Sequence, residues 1–340
     1  MSDIKVEKLH NLHVGIDVGH GNVKIAVRKT LKKENGRTTW FFDKFPSYVT
    51  LVSSENDYMN FITNDYLYDV ITFDGNIKYL YGNPVMRENK VNICQRGKRF
   101  FVSDAYKVLI AGALDVVMKH VVGTDSTKVT INSLGLGLPL TYLKMVDVVE
   151  SIKSYFAKDE SDRHVFTYNR NGTDYTIYIK ELGLFAQGAG ALFTEEIRNQ
   201  LKKYNTLGII DIGQYTTDYF IIKDNEILLD SVGTEEHGIY EMINEVRNEI
   251  QKERGTLVNE ELCRQSLLEE KFRGMRTAKA IVILNAVQGR WVNYLPDIEK
   301  FVIIGGGAEL IKDLDLSGML NNMEVLHNAE YLNAKGYTYV

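Results

Sequence analysis

Apolar and polar residues alternate in three short runs near the start of the chain, Leu12 to Val18, Val23 to Arg28 and Thr39 to Phe45, with glycine-bearing turns between the first runs. A period of two bounded by turn residues predicts strands, so this stretch reads as a three-strand meander. The period then changes. Around Asp104 to His120 the apolar residues Tyr106, Leu109, Ile110, Ala113, Leu114, Val117 and Val121 recur at helical spacing, which predicts a helix with one buried face. A strand, Lys128 to Leu136, runs into Gly137 and Pro139, and Tyr142 to Ala157 reads as a helix. His164 to Tyr168 and Asp174 to Glu181 form a hairpin pattern with Asn171-Gly172 as the turn signal.

The opening theme then returns. Leu207 to Asp211, Thr216 to Lys223 and Glu226 to Val232 make a second meander, with Asp224-Asn225 as one of its turns. Helical patterns follow at Ile239 to Arg254, Asn259 to Phe272 and Arg276 to Asn293, before a last buried strand, Phe301 to Ile304, opens into Gly305-Gly306-Gly307. Short meanders alternating with helices place the chain in the α/β class. The two meanders also echo one another in detail. Gly15-Ile16-Asp17-Val18-Gly19 and Ile209-Ile210-Asp211-Ile212-Gly213 share an apolar strand, an Asp, one apolar residue and a Gly before the chain turns back. A repeat of one supersecondary unit implies duplicated lobes.

Bulk properties narrow the function classes. With 340 residues the chain is long enough for two ordinary domains, and only four prolines interrupt it, with no stretch composed like a flexible linker. Its 44% hydrophobic and 25% charged content excludes a disordered or fibrous class. A net charge of −5 leaves no global basic field, so neither direct nucleic-acid binding nor attachment to an acidic membrane surface is expected. Cys94 and Cys263 are too few for a disulfide framework or a four-thiolate metal site. Met1 to Lys8 is polar, and no run of about 18 apolar residues occurs, so a cytoplasmic location is expected. His10 and His13 lack further Cys or His neighbours and read as a solvated terminus rather than a metal pair. Arg96-Gly97-Lys98-Arg99 beside Phe100 and Phe101 reads as a solvated loop, with a contact between subunits as the second reading.

Three segments carry candidate chemistry. In Asp17-Val18-Gly19-His20-Gly21-Asn22-Val23-Lys24, glycines at a tight turn let backbone N–H groups approach phosphate oxygens, and Lys24 adds a point charge. The backbone of His20 matters there more than its ring. Asp17, at a strand end, is placed to hold hydrated Mg²⁺ or to orient water. In Asp211-Ile212-Gly213-Gln214-Tyr215-Thr216-Thr217-Asp218, the polar groups of Gln214, Thr216 and Thr217 suit phosphate oxygens, and Asp211 suits a second water of Mg²⁺. Facing carboxylates repel unless a cation lies near them, so Asp17 and Asp211 together imply a metal more strongly than either alone. In Gly305-Gly306-Gly307-Ala308, a buried strand runs into a glycine-rich helix start, where bare backbone can lie against a base or ribose. Taken singly, each pattern is more often an ordinary turn.

The ordered set Asp17 to Lys24, Asp211 to Asp218 and Gly305 to Ala308 resembles the phosphate-1, phosphate-2 and adenosine motifs of the actin, sugar kinase and heat-shock ATPase superfamily. Phe185 to Leu192 looks like that superfamily's first connecting helix, and by that match Gln187 is the residue that positions attacking water. Within the superfamily, Phe45-Pro46-Ser47, Tyr81-Gly82-Asn83, Lys107-Val108-Leu109 and Leu136-Gly137-Leu138-Pro139 look most like the ParM-type plasmid-segregation actins. The resemblance runs from about Val14 to Leu310. One departure is Tyr215, where many relatives have Gly; it implies a wider loop or one partly stacked by the ring.

The resemblance implies an α/β, actin-like fold of two duplicated ribonuclease-H-like lobes around a nucleotide cleft, with residues 1–186 plus 318–340 as domain I and 187–317 as domain II. It implies ATP or GTP with Mg²⁺ as cofactors, Asp17, Asp211 and Gln187 as catalytic residues, and Mg²⁺ held by Asp17 and Asp211 through water. Gly19, His20, Gly21, Asn22, Lys24, Gly213, Gln214, Tyr215, Thr216, Thr217, Gly305, Gly306, Gly307 and Ala308 are the implied nucleotide-binding set. Glu270 and Lys271 are weaker candidates for ribose contact. Gln187 can orient water but cannot take its proton at neutral pH, so turnover is expected to be slow. The expected partners are further copies of the chain, joined head to tail in a filament, and a DNA-binding adaptor protein. The rival expectation is a small-molecule phosphotransferase of the same fold, which needs a catalytic Asp for the acceptor hydroxyl that no motif supplies. A non-hydrolysing, nucleotide-gated scaffold is a third.

Overall fold

Leu12, Val14, Ile16 and Val18 are all fully buried, so the first strand, β1 (Leu12–Val18), is a core strand rather than an amphipathic one. Its alternate position Gly15 is buried by close approach: a Cβ there would lie 1.9 Å from the carbonyl oxygen of Ala334. The computed structural model describes residues 8–9, 11–31, 37–54, 59, 68–73, 77–88, 90–123, 126–255, 258, 260–316, 318–320 and 322–339. His10 and Asn259 lie outside the described residues.

The chain divides into two compact units, residues 1–190 with 333–340, and residues 191–332. In the first, β1 pairs antiparallel with β2 (Asn22–Leu31), which pairs antiparallel with β3 (Arg37–Pro46). On its other side β1 pairs parallel with β4 (Lys128–Leu138). The hairpin β5 (His164–Arg170) and β6 (Thr173–Ala186) joins the sheet through parallel pairing of β6 with β4. The sheet therefore runs β3-β2-β1-β4-β6-β5, and the short strands Val70–Thr72, Lys78–Tyr81 and Val49–Leu51 continue that edge. The helix α1 (Asp104–Val117) packs against it, capped by the Ser103 hydroxyl, which accepts from the Tyr106 amide at 3.3 Å. Eleven of the fourteen residues of α1 are buried, so the helix is enclosed nearly all round rather than on the one face that its apolar spacing predicts.

In the second unit, β7 (Thr206–Ile212), β8 (Thr217–Lys223) and β9 (Glu226–Glu235) form the meander. β10 (Lys300–Ile304) and β11 (Met323–Val325) add in parallel, giving the order β9-β8-β7-β10-β11. Both units thus place a meander in reverse order beside parallel strands, as the sequence echo predicts. The Asp224-Asn225 turn has positive φ at both residues, 53° and 68°, the geometry a two-residue hairpin requires. The helices α2 (Tyr240–Arg254), α3 (Glu260–Ser266) and α4 (Arg273–Arg290) lie in this unit, and α2 ends on a left-handed Gly255. Among the described residues, no helix is long and apolar enough to cross a membrane.

Four local expectations are corrected. The helix expected over Tyr142 to Ala157 is split into Leu140–Leu143 and Val146–Lys153, because Met145 is extended and its carbonyl caps the second helix, accepting from the Val148 and Val149 amides at 3.1 Å each. Ala157–Lys158 is a short strand paired with β5. The connecting helix expected at Phe185 to Leu192 is absent: Phe185 and Ala186 stay in β6, paired with Gly137 and Leu138, and a 3₁₀ turn, Ala189–Phe193, follows. The helix expected after Gly307 is a single 3₁₀ turn, Ala308–Leu310.

Candidate functional site

The first turn is built by register. Asp17 stands opposite Lys24 and Val18 opposite Val23, leaving Gly19, His20, Gly21 and Asn22 to reverse the chain, with the Gly19 amide donating to the Asn22 carbonyl at 3.2 Å. Asp17 is buried, and its carboxylate receives the Lys24 ammonium at 3.0 Å. Gln187 comes from the far end of β6, where its amide nitrogen donates to the Leu138 carbonyl at 2.7 Å. Its side-chain nitrogen donates to the other oxygen of Asp17 at 3.2 Å. Three of the residues singled out in the sequence therefore meet at one carboxylate.

Ser47 fixes the shape of this turn. β3 ends at Pro46, and Ser47, fully buried, donates its amide to the Gly21 carbonyl at 3.0 Å and its hydroxyl to the Gly19 carbonyl. Both carbonyls are thereby directed toward Ser47. The ring of His20 stacks on Phe100 at 4.8 Å and meets Phe101 edge-on at 5.9 Å. Burial, and secondarily the charge of Arg96, lowers its pKa to about 4, so the ring is neutral in the folded protein at ordinary pH. The basic cluster is thus not a plain solvated loop. Lys98–Phe101 is a short helix whose two phenylalanines are buried beside the turn, while Lys98 pairs with Asp147 at 2.5 Å. His13 is likewise not part of a solvated terminus: it lies in β1, with Nδ1 2.9 Å from the Ser133 hydroxyl.

The second turn has the same frame and a different charge. Asp211 occupies the penultimate position of β7, as Asp17 does in β1, but stands opposite Asp218 instead of a lysine. Asp218 accepts a hydrogen bond from the Thr234 hydroxyl at 2.5 Å. The Gly213 amide donates to the Thr216 carbonyl at 2.8 Å, and a Cβ on Gly213 would lie 2.9 Å from that oxygen. Gln214 is engaged within the unit: Arg264 donates to its side-chain oxygen, its side-chain nitrogen donates to Glu260 at 3.3 Å, and Arg264 also binds Glu260 at 2.8 Å. The Thr217 hydroxyl donates to the His237 carbonyl at 2.7 Å, and the Tyr215 ring tilts against Tyr240 at 4.7 Å.

β10 delivers the glycine run to this turn, since Ile304 pairs with Asp211. Gly305 has φ 89° and sits so close that a Cβ would lie 2.1 Å from Asp211 Oδ1, so only glycine fits. A Cβ on Gly307 would meet Ile212 at 2.4 Å, whereas one on Gly306 would meet nothing within 4 Å. Gly306 is thus the open face of the run. Glu270 pairs with Arg273 at 3.5 Å and Lys271 with Glu253 at 3.5 Å. Glu260 and Arg264 reach the turn through Gln214 and were not singled out; their spacing of four on a helix was the available signal.

A meander with a buried aspartate at its first turn, repeated in each unit beside parallel strands, defines an actin-like fold. Residues 15–190 match the family of the N-terminal domain of actin-like proteins, and residues 209–315 match the C-terminal region of the archaeal actin homologue MreB-like family. The chain belongs to the actin-like proteins. Among solved structures, the archaeal actin homolog Ta0583 matches with a TM-score of 0.70 at 22% identity, covering 96% of this chain and 98% of that one. Its complex with ADP matches with a TM-score of 0.67 at 20% identity, again over 96% and 98%. ParM from a 15-stranded Clostridium botulinum filament matches with a TM-score of 0.69 at 22% identity, over 97% of this chain and 98% of that one. No curated protein matches in a sequence search.

Proposed function

We propose that the protein is a slow, Mg²⁺-dependent actin-like ATPase that assembles head to tail into cytoplasmic filaments and moves plasmid or other DNA through a DNA-binding adaptor. The observation that carries the hydrolytic part is the convergence of Lys24 and Gln187 on the buried carboxylate of Asp17. In this reading Lys24 and the turn amides bind phosphate, Asp17 holds a water of the metal, and Gln187 orients the attacking water. The amides and hydroxyls of the Gly213 to Thr217 turn bind phosphate oxygens, and Gly305 to Ala308 receive the ribose and base.

The donor set fits magnesium. The ion prefers oxygen ligands, keeps several waters and is usually held by one or two carboxylates together with substrate phosphates. Asp17 supplies one carboxylate. In this reading Asp211, at the matching position of the second hairpin, supplies another. Among the described residues no three of His, Cys, Asp and Glu gather into a ready-made cage, which suits an ion that arrives with its nucleotide. Bound there, the metal would neutralise charge developing on the transferred phosphoryl group.

Self-assembly rests on the fold shared with ParM, which forms a filament, and ATP as the nucleotide rests on the fold shared with the ADP complex of Ta0583. Sedimentation and light scattering at micromolar protein, with Mg-ATP, Mg-GTP or no nucleotide, test the proposal. Nucleotide-dependent polymer with phosphate release lagging behind assembly is expected. Fast turnover by a monomer, unchanged in Gln187→Ala, would overturn it.

A further inference from the structure

A fully buried arginine of the second unit serves no purpose yet assigned. Arg276, in the first turn of α4, is 1% exposed. Its Nη1 donates to the Leu310 carbonyl at 2.8 Å, and its two terminal nitrogens grip both oxygens of Asp313 at 2.7 and 2.9 Å. Arg273, the first residue of α4, donates to the Asp313 carbonyl at 3.2 Å. One helix end therefore pins the segment that leaves the 3₁₀ turn Ala308–Leu310.

That segment is the downstream anchor of the glycine run. Upstream, the run is fixed by β10. In the middle, the Gly307 amide donates to the Ile212 carbonyl at 2.8 Å, and the Gly305 amide donates to Ala329 at 3.1 Å. A run of three glycines has little conformational preference of its own, so its shape is set by what holds its two ends. A buried ion pair is weak evidence for stability, because desolvation offsets much of its attraction, but its fixed fork geometry suits the holding of a loop in one conformation. The Arg276 guanidinium also holds the Asp313 carboxyl below its ordinary pKa, as expected for a well-formed pair.

We propose that Arg276 is the positioning residue for the base side of the nucleotide site: through Leu310 and Asp313 it sets the path of Gly305 to Ala308 and so the affinity for the nucleoside part of the ligand. This rests on the nucleotide-binding reading above. Arg276 touches no ligand itself. The phosphate part, bound by the hairpin turns, does not depend on it.

Calorimetric titration of Mg-ADP and of magnesium pyrophosphate into wild type and Arg276→Lys separates the two. Lysine keeps the charge but loses the bidentate fork. The expected result is a rise of about tenfold in the Kd for ADP with the Kd for pyrophosphate unchanged. Asp313→Asn, at a half-exposed position, keeps the Leu310 contact and is expected to give a rise of about threefold for ADP alone; it carries the test should Arg276→Lys fail to fold. Unchanged ADP affinity in the folded variants, or a parallel loss for both ligands, would overturn the proposal. Failure of the wild type to bind ADP would overturn the nucleotide reading as well, and is distinguished by being seen without any substitution.

Discussion

The turns at Asp17 and Asp211 share a backbone plan and differ in what stands across the hairpin. In the first unit a lysine faces the aspartate, and a glutamine from β6 reaches its other oxygen, so the carboxylate is neutralised by the chain itself. In the second unit another aspartate faces it, and the turn is held instead by Gln214 with Arg264 and Glu260 and by the glycine run. The same frame thus sets an Asp–Lys pair at one turn and an Asp–Asp pair at the other. Duplicated frames can therefore differ in the charge that the partner strand brings to the turn.

The largest effects should come from the two aspartates, and they should differ in kind. Asp17→Ala is expected to lower turnover by roughly 10²–10³-fold, the scale for removing one preorganised electrostatic group. It should also lower the thermal midpoint of the nucleotide-free protein, because Lys24, only 13% exposed, loses the Asp17 carboxylate. Asp211→Ala is expected to lower turnover comparably, and it strands no cross-strand lysine, since Asp218 stands opposite. A midpoint loss without a turnover loss in either variant would break the comparison.

Next come two neighbouring glycines. Gly305→Ala places a Cβ against Asp211 at a positive φ and is expected to cost about 3 kcal/mol in denaturant unfolding. Gly306→Ala should leave stability within about 0.5 kcal/mol, as its space is open, while weakening nucleotide binding if the base lies there. Similar stability losses at both would contradict the close packing at Gly305.

The first turn also carries a pH signature. His20 titrates at about 4 in the folded protein against 6.5 for an ordinary histidine, so the unfolded chain binds the extra proton between those values. Its contribution is complete above pH 6.5 and is lost as pH falls toward 4, by about 3 kcal/mol at most. In His20→Phe that segment of the stability profile should flatten, as measured by urea unfolding across pH 4 to 7. The smallest effect is expected for Gln187→Ala, with turnover about tenfold slower and ADP affinity unchanged in a fluorescence titration.

Much of this frame was readable in the chain. The strand-end aspartates, the repeated meander and the glycine run announce themselves by alternation and turn chemistry, and the four residues between Val18 and Val23 place Lys24 opposite Asp17. Gln187 was named by resemblance alone; its approach to Asp17 depends on β6 extending past the expected helix start. The grip of Ser47 on the first turn, the Gln214 network and the Arg276 fork left no local trace, because each joins residues tens of positions apart. The break at Met145 was hidden for another reason: apolar spacing on both sides of it continues at a helical period, and only the backbone of one residue departs.

The return of residues 333–339 to β1 and β4 has a consequence for biosynthesis. Residues 191–332 form one uninterrupted stretch, so that unit has all of its chain as soon as it leaves the ribosome. The other unit has a gap to fill: Gly15 and Gly135 receive the backbone of Ala334 and Tyr337, a seat that stays empty until the second unit has been made and the chain beyond it emerges. The first unit is thus begun before the second and completed after it, and its turn at Asp17 reaches its final packing only once residues 333–339 have docked.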